Sequence, residues 1–241
     1  MDTRPHVSLV LLAAASGSVD ALAFTALGET FAGVMTGNLV LLGISAGQGS
    51  AHQVAGPLYA LGGYAAGAAA TAFVCRGVRG TRTQEWPGRV VACLAAQCAL
   101  LGFVAVAGGL LGGDPAGVWR TVLLAVAALA MGAQSAAMVA AGAGAAPTTY
   151  FTGTLTTLVT GAVDGSGRGR VQLWVTARLS AVVGGAACAV ALREAAAPWG
   201  FVPPVVLTAA AVACQKPAHR MRRAVTVLRK KRLPHTSIAR H

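Results

Sequence analysis

Long apolar stretches, separated by short polar or glycine-rich links, dominate this sequence. Charged residues make up only 11% of the chain, against about 25% in an average soluble domain. Six stretches approach the roughly 20 residues that a helix needs to cross a bilayer, although the last is shorter: residues 7–27, 54–75, 90–111, 118–141, 171–192 and 199–214. The sequence therefore predicts an all-α fold, a polytopic transmembrane helical bundle of about six spans.

Two further apolar segments are short and carry a polar break. Residues 31–44 contain Thr36-Gly37-Asn38, and residues 148–163 contain Thr152-Gly153-Thr154. Backbone that is broken at membrane depth must pack on protein or line a cavity. We therefore predict two broken or re-entrant segments whose polar turns meet near the middle of the membrane. The alternative is that each segment crosses the membrane in a distorted form.

The two Thr-Gly segments belong to a longer internal echo. Gly17-Ser18-Val19-Asp20-Ala21 precedes the first segment, and Gly132-Ala133-Gln134-Ser135-Ala136 precedes the second at nearly the same distance along the chain. Motifs that recur in the same order at one spacing indicate a repeat. We predict a first repeat at 1–112 (span, Thr-Gly-Asn hairpin, two spans), a second at 113–215 (span, Thr-Gly-Thr hairpin, two spans) and a basic cytoplasmic tail at 216–241.

The distribution of basic residues predicts the topology. If both Thr-Gly segments are re-entrant, almost all Lys and Arg side chains fall on one side, which the positive-inside rule makes cytoplasmic. Full crossings would instead place the basic 76–89 loop opposite the basic tail. Three spans per repeat is an odd number, so the two repeats are inverted, and both termini are cytoplasmic. The basic residues left over are Arg120, Arg178 and Arg193.

The net charge of +12 does not indicate nucleic-acid binding, because the positive charge is concentrated in loops and the tail around apolar spans. Residues 218–233 place apolar side chains on one helical face among Arg and Lys, which suits binding to anionic lipids of the inner leaflet. The expected partners are thus the bilayer, these lipids and an unknown small solute. The small-residue faces of the spans are also compatible with a homo-oligomer.

Asp20 is the one acidic side chain inside an apolar span, about 20 Å along the first helix at 1.5 Å per residue. A carboxylate at this depth is either a substrate or proton site or a local structural contact, and the sequence leaves both readings open. Arg178 is the candidate ion-pair partner, with snorkelling to the interface as the alternative. The remaining candidate substrate-binding residues are Thr36, Gly37, Asn38, Ser135, Thr152, Gly153 and Thr154.

Taken together, these motifs resemble the YoaK family of bacterial inner-membrane proteins, which is defined by a domain of unknown function. The resemblance covers nearly the whole membrane region. It rests on Gly17, Asp20, Ala21, Phe24, Leu27, Gly28, Phe31, Met35-Thr36-Gly37-Asn38, Met131-Gly132, Ser135-Ala136, Thr148-Thr149-Tyr150 and Thr152-Gly153-Thr154-Leu155. It implies a multi-pass inner-membrane protein and carries no activity or substrate with it.

The leading functional hypothesis is a transporter or channel for a small solute, bound where the two Thr-Gly segments meet. The alternative is a non-transporting membrane scaffold or partner-binding subunit. An intramembrane hydrolase is poorly supported, because the apolar spans contain no histidine, no second carboxylate and no GxSxG motif. The five cysteines form no CxxC pair and the histidines lie outside the apolar stretches, so we expect no metal site. We also expect no cofactor and no enzyme activity.

Overall fold

The computed structural model describes residues 4–78, 86–142, 151–163 and 169–215. Within these ranges the chain forms eight α-helices and one short 3-10 helix, Ala197–Phe201, which leads directly into the last α-helix. The α-helices are α1 (Arg4–Ala26), α2 (Met35–Gly47), α3 (Ala51–Val74), α4 (Gly88–Leu110), α5 (Gly117–Ala141), α6 (Phe151–Val163), α7 (Gly169–Ala195) and α8 (Val202–Gln215). The prediction of an all-α helical bundle is confirmed.

Five helical units in the described ranges are long and apolar enough to cross a membrane: α1, α4, α5, α7 and the unit Ala197–Gln215 that includes α8. α3 has 24 residues, so its length is sufficient, but glycine, alanine and polar residues reduce its hydropathy. It packs extensively on α5, and we count it as the sixth long helix of the bundle. α2 is apolar but has only 13 residues, or about 20 Å of helix.

α1 and α7 run parallel to each other. The ring of His6 stacks on that of Trp174 with centroids 4.8 Å apart, and Ser18 Oγ donates a hydrogen bond to the carbonyl of Gly185 at 2.8 Å. His6 precedes Ser18 in α1 and Trp174 precedes Gly185 in α7, so the two helices run in the same direction. Glycines permit this close approach, because a Cβ on Gly17 would overlap the carbonyl of Val182.

α3 and α5 are a second parallel pair with the same kind of contact. A Cβ on Gly63 would overlap the carbonyl of Ala125, and a Cβ on Gly67 would overlap that of Leu129. The face that carries Gly63 and Gly67 is therefore a helix-packing surface. In lipid, no hydrophobic effect drives helices together. Backbones that approach this closely are held instead by van der Waals contact.

α5 runs antiparallel to α1. The side-chain Nε2 of Gln134, near the end of α5, donates to the carbonyl of Leu12 in the first half of α1 at 3.3 Å. At the other end, Gly28 follows the last turn of α1 and lies beside the side chain of Arg120 in the first turn of α5. Since α3 is parallel to α5, α3 also runs opposite to α1. The 13-residue α2 between α1 and α3 therefore does not add a crossing.

The remaining directions follow from contacts of α8. Cys98 Sγ and Gly108 of α4 contact Val205 and Phe201 respectively, so α4 and α8 are antiparallel. The hydroxyl of Ser8, at the start of α1, donates to the carbonyl of Ala211 near the end of α8. The starts of α1, α4 and α7 and the ends of α3, α5 and α8 thus share one end of the bundle. We call this the basic end, and the other the α2 end.

The segment before α2 turns back into the bundle. α1 ends at Ala26. Gly33 nevertheless contacts Asp20, which lies six residues before the end of α1, or about 9 Å back along the helix axis. Thr30 lies beside Gly56 in the second turn of α3. α2 then packs along α3, and residues 48–50 join the two helices. Residues 27–50 therefore leave and rejoin the same end of the bundle, which is the geometry of a re-entrant segment.

Candidate functional site at the start of α2

The Asp20 carboxylate lies against the backbone that enters α2. Its Oδ1 accepts a hydrogen bond from the N–H of Gly33 at 2.6 Å, and the N–H groups of Ala32 and Val34 lie close to the same carboxylate. Successive backbone N–H groups around one anion form a concave backbone binding site. Asp20 therefore lies beside the first Thr-Gly segment.

The position of Asp20 suits the electrostatics of α2. Val34 is the N-cap residue of α2 and makes no side-chain capping bond. The Asp20 carboxylate, which comes from another helix, supplies negative charge at this helix start, where the macrodipole favours an anion. Gly33 is buried between Asp20 and Met131 of α5, and a Cβ there would come within 3.1 Å of Asp20 Oδ2. A side chain at position 33 would crowd the carboxylate.

Asn38 holds the same turn from inside α2. Its side chain is fully buried; Oδ1 accepts from the N–H of Phe31 at 3.0 Å and Nδ2 donates to the carbonyl of Phe31 at 2.6 Å. The Phe31 ring stacks on Phe24 with centroids 5.1 Å apart and covers Gly37 closely. Asn38 and Gly37 thus fix the shape of the segment that presents backbone N–H groups to Asp20.

Replacing Asn38 by leucine is expected to lower the free energy of unfolding by roughly 2–4 kcal/mol, because both backbone groups of Phe31 lose their partner in an apolar setting. The volume of the side chain is nearly kept, so the loss reports hydrogen bonding rather than a cavity. Thermal melting of the detergent-solubilised protein measures it. Thr36→Val is the matched control, since Thr36 is exposed in the same first turn of α2. Equal melting temperatures for the two variants would contradict the assignment.

The prediction that the two Thr-Gly segments meet is wrong for the described helices. α2 packs on α3 and α6 on α7, with no contact between α2 and α6. The reason is the depth of the first segment: it reaches only the level of Asp20. Ser135, the echo of Asp20, lies next to Gln134 at the level of Leu12, which is eight residues or about 12 Å from Asp20 along α1.

The remaining candidate residues have separate environments. Thr36 and Thr152 are exposed, and Ser135 is buried with its Oγ donating to the carbonyl of Met131 at 3.0 Å. Gly153 is half-buried in α6. The side chain of Thr154 lies outside the described part of the chain, as do Thr148, Thr149 and Tyr150 and the basic tail at 216–241.

Arg178 does not pair with Asp20, so the predicted ion pair is wrong. The contacts of α1 with α7 place Trp174 opposite His6 and Gly185 opposite Ser18. Arg178 therefore lies about ten residues, or roughly 15 Å, from Asp20 along the helix pair. Its charge acts on His6 instead, at the basic end. The sequence argument failed because backbone N–H groups, which leave no trace in the side-chain pattern, satisfy the carboxylate.

Sequence reasoning missed a polar pair in the core. Gln97 of α4 donates through Nε2 to Oε1 of Gln134 at 2.6 Å, and both side chains are fully buried. Nε2 of Gln134 donates in turn to the carbonyl of Leu12, so the pair links α4, α5 and α1. Gln97 Oε1 is buried without a hydrogen-bond partner. A single Gln inside the apolar stretch 90–111 was the available signal.

Gln97→Leu alone is expected to cost roughly 1–3 kcal/mol of stability, because Oε1 of Gln134 loses its short donor. The double variant Gln97→Leu/Gln134→Leu should recover part of that loss, since an apolar pair leaves fewer unmatched polar atoms. A double-mutant cycle on melting temperature measures the coupling. Strictly additive losses would show that the two amides do not act as a pair.

The family model for proteins of unknown function designated DUF1275 matches residues 8–214. The chain belongs to this family. It is also similar to the UPF0700 transmembrane protein YoaK of Bacillus subtilis (strain 168), with 31% identity over 151 residues. That alignment covers 63% of this chain and 64% of the relative, so it spans just under two thirds of the relative's length. No solved structure matches the chain.

Family membership and helix composition agree on the environment of this DUF1275 protein. The match includes α1 to α8 and therefore the whole described bundle. The relative is named as a transmembrane protein, and five units of this chain meet the length and apolarity of a span. The chain is a multi-pass membrane protein, and its resemblance to the YoaK family is confirmed.

Proposed function

We propose that this DUF1275 protein is a membrane transporter or channel for a small solute, with its site at the Asp20 carboxylate rather than at a junction of two Thr-Gly segments. The observation that carries the proposal is a carboxylate inside a span, bound by backbone N–H groups at the start of a short re-entrant helix. Discontinuous helices whose ends face a charged group at membrane depth are a recurrent feature of transport proteins. The fold alone assigns no substrate.

The proposed mechanism depends on the hydrogen bond between Asp20 and the segment that enters α2. The charged carboxylate accepts a hydrogen bond from the N–H of Gly33 and keeps the turn against α1 and α5. A proton or a cation that binds Asp20 competes for the same oxygens and weakens this hydrogen bond. The turn, and α2 with it, is then free to shift along α3.

We propose two inverted repeats, related by an axis in the membrane plane, with both termini cytoplasmic in a bacterial inner membrane. The helix contacts support this proposal, because α1 packs on α7 and α8 as α5 packs on α3 and α4.

The basic residues at the α2 end have polar partners. Arg120 donates to the carbonyl of Pro115 at 3.1 Å. Arg193 lies 3.8 Å from Asp114 and 3.9 Å from Glu194. The positive charge at that end is thus partly matched.

Cysteine labelling tests this topology in intact cells. In a cysteine-free background, Gln48→Cys at the α2 end should react with a membrane-impermeant maleimide, and Gly88→Cys at the basic end should not. Both positions are exposed at links between helices. Full crossings by both Thr-Gly segments predict the reverse, so the swapped labelling pattern would contradict the inverted arrangement.

Flux in proteoliposomes tests the transport proposal itself. Purified protein should move at least one solute of a broad panel of small ions, amino acids and organic acids faster than empty liposomes do. Asp20→Asn should reduce that flux at least about tenfold while the protein still inserts. If wild-type protein moves nothing in the panel, or if Asp20→Asn keeps full flux, the site at Asp20 is contradicted.

A non-transporting scaffold or partner-binding subunit is the second candidate. It is favoured by the observation that the polar atoms of Asn38 and Oδ1 of Asp20 are bonded to the chain's own backbone. A helix strut needs no solute. Deletion of 216–241 separates the two functions, because a transporter should retain most of its flux without the tail. We propose no enzyme activity.

A further inference from the structure

Two buried polar atoms without partners lie between α1 and α7 at the basic end. Arg178 is only 8% exposed, and its Nε has no hydrogen-bond partner. The Nδ1 of His6 is also buried and unbonded. The His6 ring stacks on Trp174, one helical turn before Arg178, and the charge of Arg178 acts on the imidazole of His6. The two unmatched groups therefore belong to one cluster.

A buried guanidinium without a counter-charge is costly, and inside a membrane span it is costlier still. No carboxylate of the described residues lies within ion-pair distance of Arg178. Asp20, the one acidic residue in a span, is about 15 Å away along the helix pair. The side chain of a helical residue leans toward the start of its helix, which here points Arg178 toward His6 and the basic end. Among the described residues, the cluster therefore has no anion.

We propose that His6 and Arg178 bind the phosphate of an anionic phospholipid headgroup in the leaflet at the basic end. The guanidinium is a planar donor that suits phosphate oxygens, and His6 Nδ1 supplies a second nitrogen. Trp174 belongs to the class of aromatic residues that sit at headgroup level. Basic pockets between transmembrane helices on this kind of face bind anionic lipid headgroups. This site is separate from Asp20 and does not depend on transport.

Thermal melting in mixed micelles of stated composition tests the site. Phosphatidylglycerol, compared with phosphatidylcholine at the same ionic strength, should raise the melting temperature of the full chain by about 5 °C. Arg178→Gln should lose this increase. Arg76→Gln is the matched control, because it removes one exposed positive charge near the same end and should keep the increase. Loss in both variants would reduce the effect to general surface charge and overturn the site.

A second variant keeps the test decisive if Arg178→Gln fails to fold. His6→Phe retains an aromatic ring against Trp174 but removes both ring nitrogens, and it should also weaken the response to phosphatidylglycerol. Inorganic phosphate in phosphatidylcholine micelles is the other arm. Stabilisation by phosphate that Arg178→Gln abolishes, without a response to phosphatidylglycerol, would overturn the lipid assignment in favour of a free anion. A full lipid response in both site variants would refute the site.

Discussion

Asp20→Leu is expected to lower the free energy of unfolding by roughly 3 kcal/mol, because the backbone N–H of Gly33 loses a charged acceptor in an apolar setting. The bond runs to the segment that enters α2, so the loss should be local at first. Protection of the Gly33 amide from hydrogen exchange should fall before the rest of the bundle opens. Melting temperature and hydrogen exchange in detergent measure the two effects.

Asp20→Asn separates the structural role of this residue from its charge. The amide oxygen still accepts from the N–H of Gly33, but the amide nitrogen is a donor and cannot accept from neighbouring N–H groups. We expect a smaller loss of stability than in Asp20→Leu, together with loss of flux. Glu29→Gln is the control, since Glu29 is an exposed acidic residue close by in sequence. Wild-type stability and flux in both Asp20 variants would exclude Asp20 as site and as strut.

The sequence was sufficient to predict the class of fold and the surroundings of Asp20. Apolar length identifies helices whatever their packing, and a carboxylate at membrane depth must be satisfied by something near it in space. The Thr36-Gly37-Asn38 break lies in the segment that leaves and rejoins the same end of the bundle. These inferences depend only on the free-energy cost of placing a polar or charged group at membrane depth. That cost can be judged from composition and residue spacing.

The partners of polar groups could not be predicted in the same way. Asp20 accepts from the backbone N–H of Gly33, and Asn38 bonds to the backbone of Phe31; these are main-chain contacts, which the order of side-chain types does not reveal. Arg178 was assigned to Asp20 because both carry charge, although helix register places them about 15 Å apart. The pairing of Gln97 with Gln134 likewise depends on which faces of α4 and α5 meet.

The glycine contacts between α3 and α5 should be among the most sensitive positions in the chain. A Cβ on Gly67 would overlap the carbonyl of Leu129, and a Cβ on Gly132 would overlap that of Tyr64. Backbone atoms cannot rotate away, so either substitution forces the helices apart. Gly62 lies in the same helix as Gly67 and has no atom within 4 Å of a Cβ built there. It provides a control for the intrinsic effect of replacing glycine by alanine.

We expect Gly67→Ala to lower stability by about 2 kcal/mol or more relative to Gly62→Ala, which should gain up to ~1 kcal/mol from helix propensity. Gly132→Ala should cost a similar amount. The double variant Gly67→Ala/Gly132→Ala should cost less than the sum, because the first substitution already separates the two backbones that the second would strain. Melting temperatures of the four proteins in one detergent measure this. Additive losses, or equal stability of Gly67→Ala and Gly62→Ala, would mean that α3 and α5 do not pack backbone to backbone through these glycines.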